Sequence, residues 1–232
     1  MACIGVLGGM GPAATVDFLG KLVALTPATR DQDHLPVVVA HMPQVPDRSA
    51  AILGCGADPL PGLQRGIDLL NSSKVGLVVI PCNSSHHWFE QMSAASHAPI
   101  LHIARACVAR VPVGGRTCVL ATRGALAAGF YQRELARHGT PWEVPDPVTE
   151  QGLVDECIRL IKAGQPELAG ALLDEVLVRT RERGTEAVIM GCTELPIAAA
   201  FAERHDLMLI DSTLELARST VAYALQAGWN HS

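Results

Sequence analysis

Two cysteines, Cys82 and Cys192, stand at like places in this chain. Val75 to Trp88 reads as strand, then Pro-Cys-Asn-Ser, then helix, and Glu186 to Ala199 reads as strand, then Gly-Cys-Thr-Glu, then helix. In open α/β sheets ligands bind outside the carboxyl ends of the strands, so both thiols fall where such a crevice forms. Each also precedes a helix N-terminus, whose partial positive charge favours a thiolate and draws a cysteine pKa below its free value of about 8.5. Asn83, Ser84 and Thr193 follow them with small polar groups able to hold an anion. Two opposed thiols suit proton transfer at a stereocentre: one base removes a proton from one face while a conjugate acid delivers a proton to the other. The competing reading is that both are packing cysteines, since a free cysteine ordinarily behaves as a small buried hydrophobe.

Such a pair needs parallel strands to carry it. Nearly continuous apolar runs at 3–7, 36–41, 75–81, 99–103, 116–121, 186–191 and 207–211 predict strands covered on both faces. Helical periodicity covers 12–25, 59–71, 85–95, 125–138, 151–163, 166–183, 194–204 and 213–227. The stretch 151–163 places apolar residues at 153, 154, 157, 158 and 161, one helical face, with Asp155, Glu156, Arg159 and Lys162 on the other. This alternation predicts an α/β fold of two similar Rossmann-like domains with parallel sheets and a site in the cleft between them. Cys82 and Cys192 are separated by about the length of one small domain. The expected division is 1–103 plus 212–232 for the half carrying Cys82, and 104–211 for the half carrying Cys192.

Composition narrows the partners. With 49% hydrophobic and 18% charged residues, 232 residues can bury a substantial core. A net charge of −5 without a basic run offers little to phosphate backbones or anionic membranes, so neither nucleic acid nor membrane is an expected partner. No apolar stretch approaches the roughly 20 residues of a spanning helix, and the start Met1-Ala2-Cys3-Ile4-Gly5-Val6 lacks the basic region and cleavage site of a signal peptide. The expectation is a cytoplasmic protein whose seven cysteines stay reduced. Cys3, Cys55, Cys107, Cys118 and Cys157 read as ordinary buried thiols, and Cys82 and Cys192 as a functional pair that does not bridge.

Five motifs carry a resemblance: Ile4-Gly5-Val6-Leu7-Gly8-Gly9-Met10-Gly11-Pro12, Asp31-Gln32-Asp33-His34, Pro46-Asp47-Arg48-Ser49, Pro81-Cys82-Asn83-Ser84 and Gly191-Cys192-Thr193-Glu194-Leu195-Pro196. In that order, over nearly the whole chain, they resemble the cofactor-independent aspartate/glutamate racemase family. The resemblance implies racemisation of an acidic amino acid without pyridoxal phosphate, or any other cofactor, at a site between two domains, usually within a homodimer. It makes Cys82 and Cys192 the two bases, Cys82 toward the D-enantiomer and Cys192 toward the L-enantiomer. Asn83, Ser84 and Thr193 would hold the α-carboxylate or amino group, with Met10 and the backbone of Gly9 to Gly11 completing the cradle and Thr122 adding a contact. Arg48, whose planar guanidinium can bind a carboxylate bidentately, would take the distal carboxylate, with Lys162 as a second cation. This chain departs from the family pattern at Ser84, where threonine is usual, and at Ala125, which replaces a second threonine.

Other readings compete. Gly9-Met10-Gly11-Pro12-Ala13-Ala14 fits the G-x-G-x-x-A form of a dinucleotide turn, but the second strand ends at His41 and Met42 instead of an acidic ribose ligand. The three lysines, Lys21, Lys74 and Lys162, offer no convincing Schiff base. Cys82 with His86 or His87 lacks a third metal ligand at suitable spacing, so no metal is expected. A hydantoin racemase, maleate isomerase or arylmalonate decarboxylase type of two-cysteine enzyme stands as the alternative, as does a non-catalytic amino-acid-binding protein.

Overall fold

Strand β1 (Ile4–Gly8) is buried along its whole length, as a continuous apolar run requires. In the computed structural model, which describes residues 3–203 and 205–229, β1 is the middle of a parallel sheet of order β2-β1-β3. Its neighbours are β2 (Val37–His41) and β3 (Leu77–Val79). A parallel bridge from Val78 to Ile100 adds the rudiment of a fourth strand. The second sheet, also parallel, has the order β5-β4-β6-β7, from β4 (Thr117–Leu120), β5 (Trp142–Glu143), β6 (Ala187–Met190) and β7 (Met208–Asp211). Counted within each half, both sheets run 2-1-3-4, so each changes direction between its first and third strands. The expected α/β architecture of two like halves is the one the chain forms.

Helices α1 (Pro12–Leu25), α2 (Arg48–Ile52), α3 (Leu60–Ser72), α4 (Phe89–Ala95) and α5 (Ile103–Val108) accompany the first sheet. The second is followed by α6 (Arg123–Ala128), α7 (Phe130–Arg137), α8 (Gln151–Lys162), α9 (Pro166–Glu182) and α10 (Leu195–Ala199). Leu63, Ile67 and Leu70 of α3 cover one face of the first sheet at Leu7, Val78 and Ile80. Phe18 and Leu22 of α1 cover the other face, together with Leu216 and Val221 of the last helix, α11 (Ser212–Gln226). Val154 and Ile158 of α8 and Leu173 and Val176 of α9 pack on Leu120, Val188 and Met190 of the second sheet. Truncating one such side chain to alanine costs about 2–5 kcal/mol. Lys21 ties the return of the chain to α1: its Nζ lies 2.6 Å from Asp17, Asp211 and Thr213.

Several elements differ from the sequence reading. The helix expected over 125–138 breaks at Gly129, which takes φ +69° and separates α6 from α7. The one expected over 85–95 opens as a 3-10 turn, Ser84–Trp88. That over 194–204 closes at Ala199, and its position 204 lies outside the described residues, as do Met1, Ala2 and 230–232. The strand expected at 99–103 reduces to the Ile100 bridge, because His102 caps α5 by accepting from the Ala104 N–H at 3.2 Å. Helix α2, started by Asp47 accepting from the Ala50 N–H at 2.7 Å, and the two-residue β5 were not expected. No helix among the described residues is long and apolar enough to cross a membrane.

Candidate active site

The turns leaving β1, β2 and β3 in one half and β4 and β6 in the other meet at a single cavity of about 110 Å³. One water needs roughly 10–15 Å³ by the same measure, so the space suits a small molecule. All nine residues singled out from the sequence line it: Cys82, Cys192, Met10, Arg48, Asn83, Ser84, Thr122, Lys162 and Thr193. Eight come from the ends of the first and third strands of both halves, where the strand order reverses, and from the loop after β2, and Lys162 comes from the end of α8. Open α/β sheets bind ligands at that switch point.

Cys82 is 4% exposed and its sulfur lies 3.9 Å from the Ser84 hydroxyl. Its carbonyl accepts from the Ser85 hydroxyl at 2.7 Å and pairs with His86 Nδ1 at 2.9 Å. His86 Nε2 accepts from the Ile103 N–H at 3.2 Å, so Nδ1 carries the proton and donates. Burial pushes this imidazole down to about 4 and keeps it neutral. With both nitrogens committed to backbone, His86 is a brace for the Cys82 turn and not a metal ligand beside it.

Asn83 is as buried as Cys82. Its Oδ1 accepts from the Tyr131 hydroxyl at 2.6 Å and its Nδ2 donates to Ser212 Oγ at 3.0 Å. The amide is therefore largely spent on structure, with one N–H left for a ligand. Ser84 remains open to the cavity.

Cys192 is 7% exposed and donates to Glu194 Oε2 at 3.0 Å. Burial and then the Glu194 charge push its thiol well above the ordinary range. This reverses the expectation that the following helix start lowers it, because burial and the Glu194 carboxylate outweigh the start of α10. Thr193 donates to the same Glu194 oxygen at 3.0 Å. A Cβ at Gly191 would lie 2.9 Å from the Tyr131 ring, which lets that ring close the floor of the turn. The remaining buried thiols, Cys107, Cys118 and Cys157, are pushed up to about 12 by burial, whereas Cys55 is exposed, against the expectation of a packed residue.

Arg48 Nη1 donates to the carbonyls of Val45 and Pro46, each at 3.0 Å. Its Nε is buried without a partner, and the guanidinium has no ion-pair partner among the described residues. A buried donor left unpaired is costly, and Arg48 is a cationic side chain lining the cavity with no carboxylate of the described residues to neutralise it. Lys162, at the end of α8, is exposed at the mouth, 3.9 Å from Glu194 Oε1. Thr122 caps α6, accepting from the Ala125 N–H at 3.2 Å, and its hydroxyl proton stays available. Met10 follows Gly9, whose φ of +91° and close approach to the Met42 backbone, 2.5 Å from a Cβ placed there, demand glycine.

Besides Gly191, sequence reasoning passed over three lining residues, Asp47, Ser49 and Glu194. Asp47 and Glu194 stood inside motifs already quoted, but nothing in a linear pattern shows Glu194 folding back onto the thiol two residues before it. Ser49 accepts from the Gly124 N–H at 3.0 Å and so joins the two halves at the rim. No local signal marks that contact.

Fold and cavity together define a two-lobed α/β enzyme scaffold whose polar pocket takes one buried thiol from each half. A family model described as Asp/Glu/Hydantoin racemase matches residues 7–220, and the chain belongs to that family of isomerases. It is 26% identical over 226 residues to the broad specificity amino-acid racemase RacX of Bacillus subtilis (strain 168), covering 94% of this chain and 96% of that one. The solved structure of the Picrophilus torridus aspartate racemase is similar with a TM-score of 0.84 and 27% identity, covering 98% of this chain and 95% of the other. The glutamate racemase of Francisella tularensis subsp. tularensis SCHU S4, solved with D-glutamate, shares the fold at 18% identity and a TM-score of 0.70, over 98% of this chain and 82% of that one.

Proposed function

We propose that this protein racemises an acidic amino acid, aspartate, glutamate or a close analogue, by two-base proton transfer between Cys82 and Cys192 without a cofactor. The observation that carries the reading is one cavity lined by a buried thiol from each half and by Arg48, which has no ion-pair partner among the described residues. One thiolate removes the α-proton while the opposite thiol delivers its own to the other face, and their roles exchange with direction. The resemblance assigns Cys82 to the D-enantiomer and Cys192 to the L-enantiomer. Arg48 binds the distal carboxylate, with Lys162 adding positive charge at the mouth. Ser84, Thr122, Thr193, the free N–H of Asn83 and the turn at Met10 orient the α-carboxylate and ammonium. Fixing the α-carbon between base and acid is itself a large share of such catalysis. Residues 1–103 with 212–232 and residues 104–211 are the two working halves of each protomer in a cytoplasmic homodimer, and sedimentation velocity checks the dimer directly.

A second reading concerns breadth. A mostly apolar cavity of about 340 Å³, lined by Pro12, Ala13, Ala14, Ile161 and Ile197, adjoins the site and shares Lys162, Thr193 and Glu194 with it. It favours acceptance of apolar side chains as well, in line with the broad specificity named for the Bacillus subtilis relative.

The test is α-proton exchange in D₂O with both enantiomers of aspartate and glutamate and a panel of neutral amino acids. Exchange with racemisation is expected for at least one acidic pair, and silence across the panel removes the proposal. Cys82→Ser and Cys192→Ser should each lower racemisation by about 10²–10⁴. An active double variant contradicts the assigned roles.

A further inference from the structure

We infer that Glu194 is a positioning residue that holds Cys192 as the proton-bearing thiol in the free enzyme, so that Cys82 opens the reaction as the base. The inference rests on the two-thiol reading above. Glu194 Oε2 accepts from two donors, Cys192 Sγ at 3.0 Å and Thr193 Oγ1 at 3.0 Å, while Oε1 lies 3.9 Å from Lys162 Nζ. An ionised carboxylate only accepts, so the contact to sulfur exists when Cys192 carries its proton. Loss of that proton sets two anions 3.0 Å apart in a pocket where Cys192 is 7% exposed. The other thiol has different company: among the described residues the side chain that hydrogen-bonds the Cys82 sulfur is the Ser84 hydroxyl, 3.9 Å away, which can donate to a thiolate.

The groups facing Cys192 come from several elements. Glu194 lies on its own turn, Lys162 on α8 and Tyr131 on α7, while Asp47, Arg48 and Cys82 stand on the first-half turns that line the cavity. Lys162 and Arg48 favour a thiolate, and Glu194 and Asp47 oppose it. Tyr131 stays neutral, its phenol raised by burial. Among the described residues only Glu194 hydrogen-bonds the sulfur through its side chain, so its sign prevails.

In the first half-cycle the Cα–H bond breaks, its electron pair stays on carbon and the proton forms the S–H bond of Cys82. The Cys192 S–H bond then breaks as its proton goes to the opposite face of that carbon. The enzyme is left with a Cys82 thiol and a Cys192 thiolate beside Glu194. It returns to the starting form by turning over the other enantiomer, or by losing the Cys82 proton to water while Cys192 gains one from water.

The experiment is alkylation of the full-length protein with iodoacetamide from pH 6 to 10, each cysteine followed by peptide mass spectrometry. In the unaltered protein the Cys192 midpoint should lie above the free-cysteine value of about 8.5. In Glu194→Gln it should fall by about one pH unit or more, a tenfold change in thiolate fraction, with the Cys82 midpoint in place. An unaltered-protein midpoint at or below the free value overturns the inference, as does an unmoved midpoint in a folded Glu194→Gln protein. Exchange in D₂O on the same samples separates the two readings. A moved midpoint with no exchange in the unaltered protein retains the Glu194 assignment and removes the racemase, whereas exchange with an unmoved midpoint does the reverse.

Discussion

The phenol of Tyr131, on α7 of the second half, donates a 2.6 Å hydrogen bond to the amide oxygen of Asn83, the residue next to Cys82 in the first. Both are buried, and the same amide donates to Ser212 at the start of α11. One amide thus fastens the Cys82 turn to two other elements far along the chain.

Removing the phenol oxygen tests that fastening. Tyr131→Phe leaves Asn83 Oδ1 buried without its donor, at a cost of about 1–3 kcal/mol. Urea unfolding should show the loss, and kcat should fall with little change in KM if the main effect is on how the Cys82 turn is held. An unchanged unfolding midpoint would deny the hydrogen bond its role.

Arg48→Ala should weaken acidic substrates specifically. Hydrogen bonds to charged groups are worth about 1.5–3 kcal/mol, or roughly ten- to a hundredfold in KM. Neutral amino acids should change by about twofold at most, because the lost contact is to the distal carboxylate. The ratio of the two effects is the readout, since Nη1 also braces the carbonyls of Val45 and Pro46 and a general loosening would lower both alike.

Acid should destabilise the fold through two imidazoles. His86 is pushed down to about 4 and His102 to about 2, both mainly by burial, from an ordinary 6.5. Below pH 6.5 the unfolded chain takes up protons that the folded protein refuses, so stability falls with pH until about pH 4 for His86 and lower for His102. Between pH 6.5 and 5 each contributes a loss of about 2 kcal/mol. The rings lie 5.0 Å apart, and their titrations are coupled. Urea midpoints at pH 7.5, 6.5 and 5 measure the slope, and His102→Gln should remove about half of it. A slope untouched by that change would place the acid sensitivity elsewhere.

Gly124→Ala should pry open the rim between the halves. Its Cβ would fall 2.4 Å from Ser49 Oγ and 2.6 Å from Ser49 Cα, pressing α6 against α2 beside Arg48. Overpacking of this kind costs about 1–3 kcal/mol, and kcat/KM should drop with it. Gly152→Ala is the control, as a Cβ there meets nothing within 4 Å. Equal kinetics in both variants would mean the rim does not set the geometry of the cavity.

Much of this molecule is written locally. Ile4 to Gly8 and Ala187 to Met190 read as strands because unbroken apolar runs have no solvent face, whereas the edge strand Val37 to His41 reads the same way yet leaves Val39 and His41 exposed, and α8 and α9 read as helices because their apolar residues recur on one side. The repeated strand-Cys-helix pattern located both thiols for the same reason. Where the reading failed, the deciding interaction lay off the pattern: the Asp47 cap that starts α2, the left-handed Gly129 that splits a periodic stretch, the pairing that makes a strand of Trp142 and Glu143.

Residue type and spacing by themselves determined that this chain forms two like α/β halves, each with a cysteine at a strand end, because those properties follow from short-range periodicity. Only the tertiary structure decided that Cys192 faces a carboxylate, that the Asn83 amide is taken by Tyr131 and Ser212, and that Arg48 keeps an unpaired edge. Partners brought from 48 and 129 residues away govern the Asn83 amide, and burial governs Cys192 and Arg48, because a desolvated group responds to what surrounds it in space.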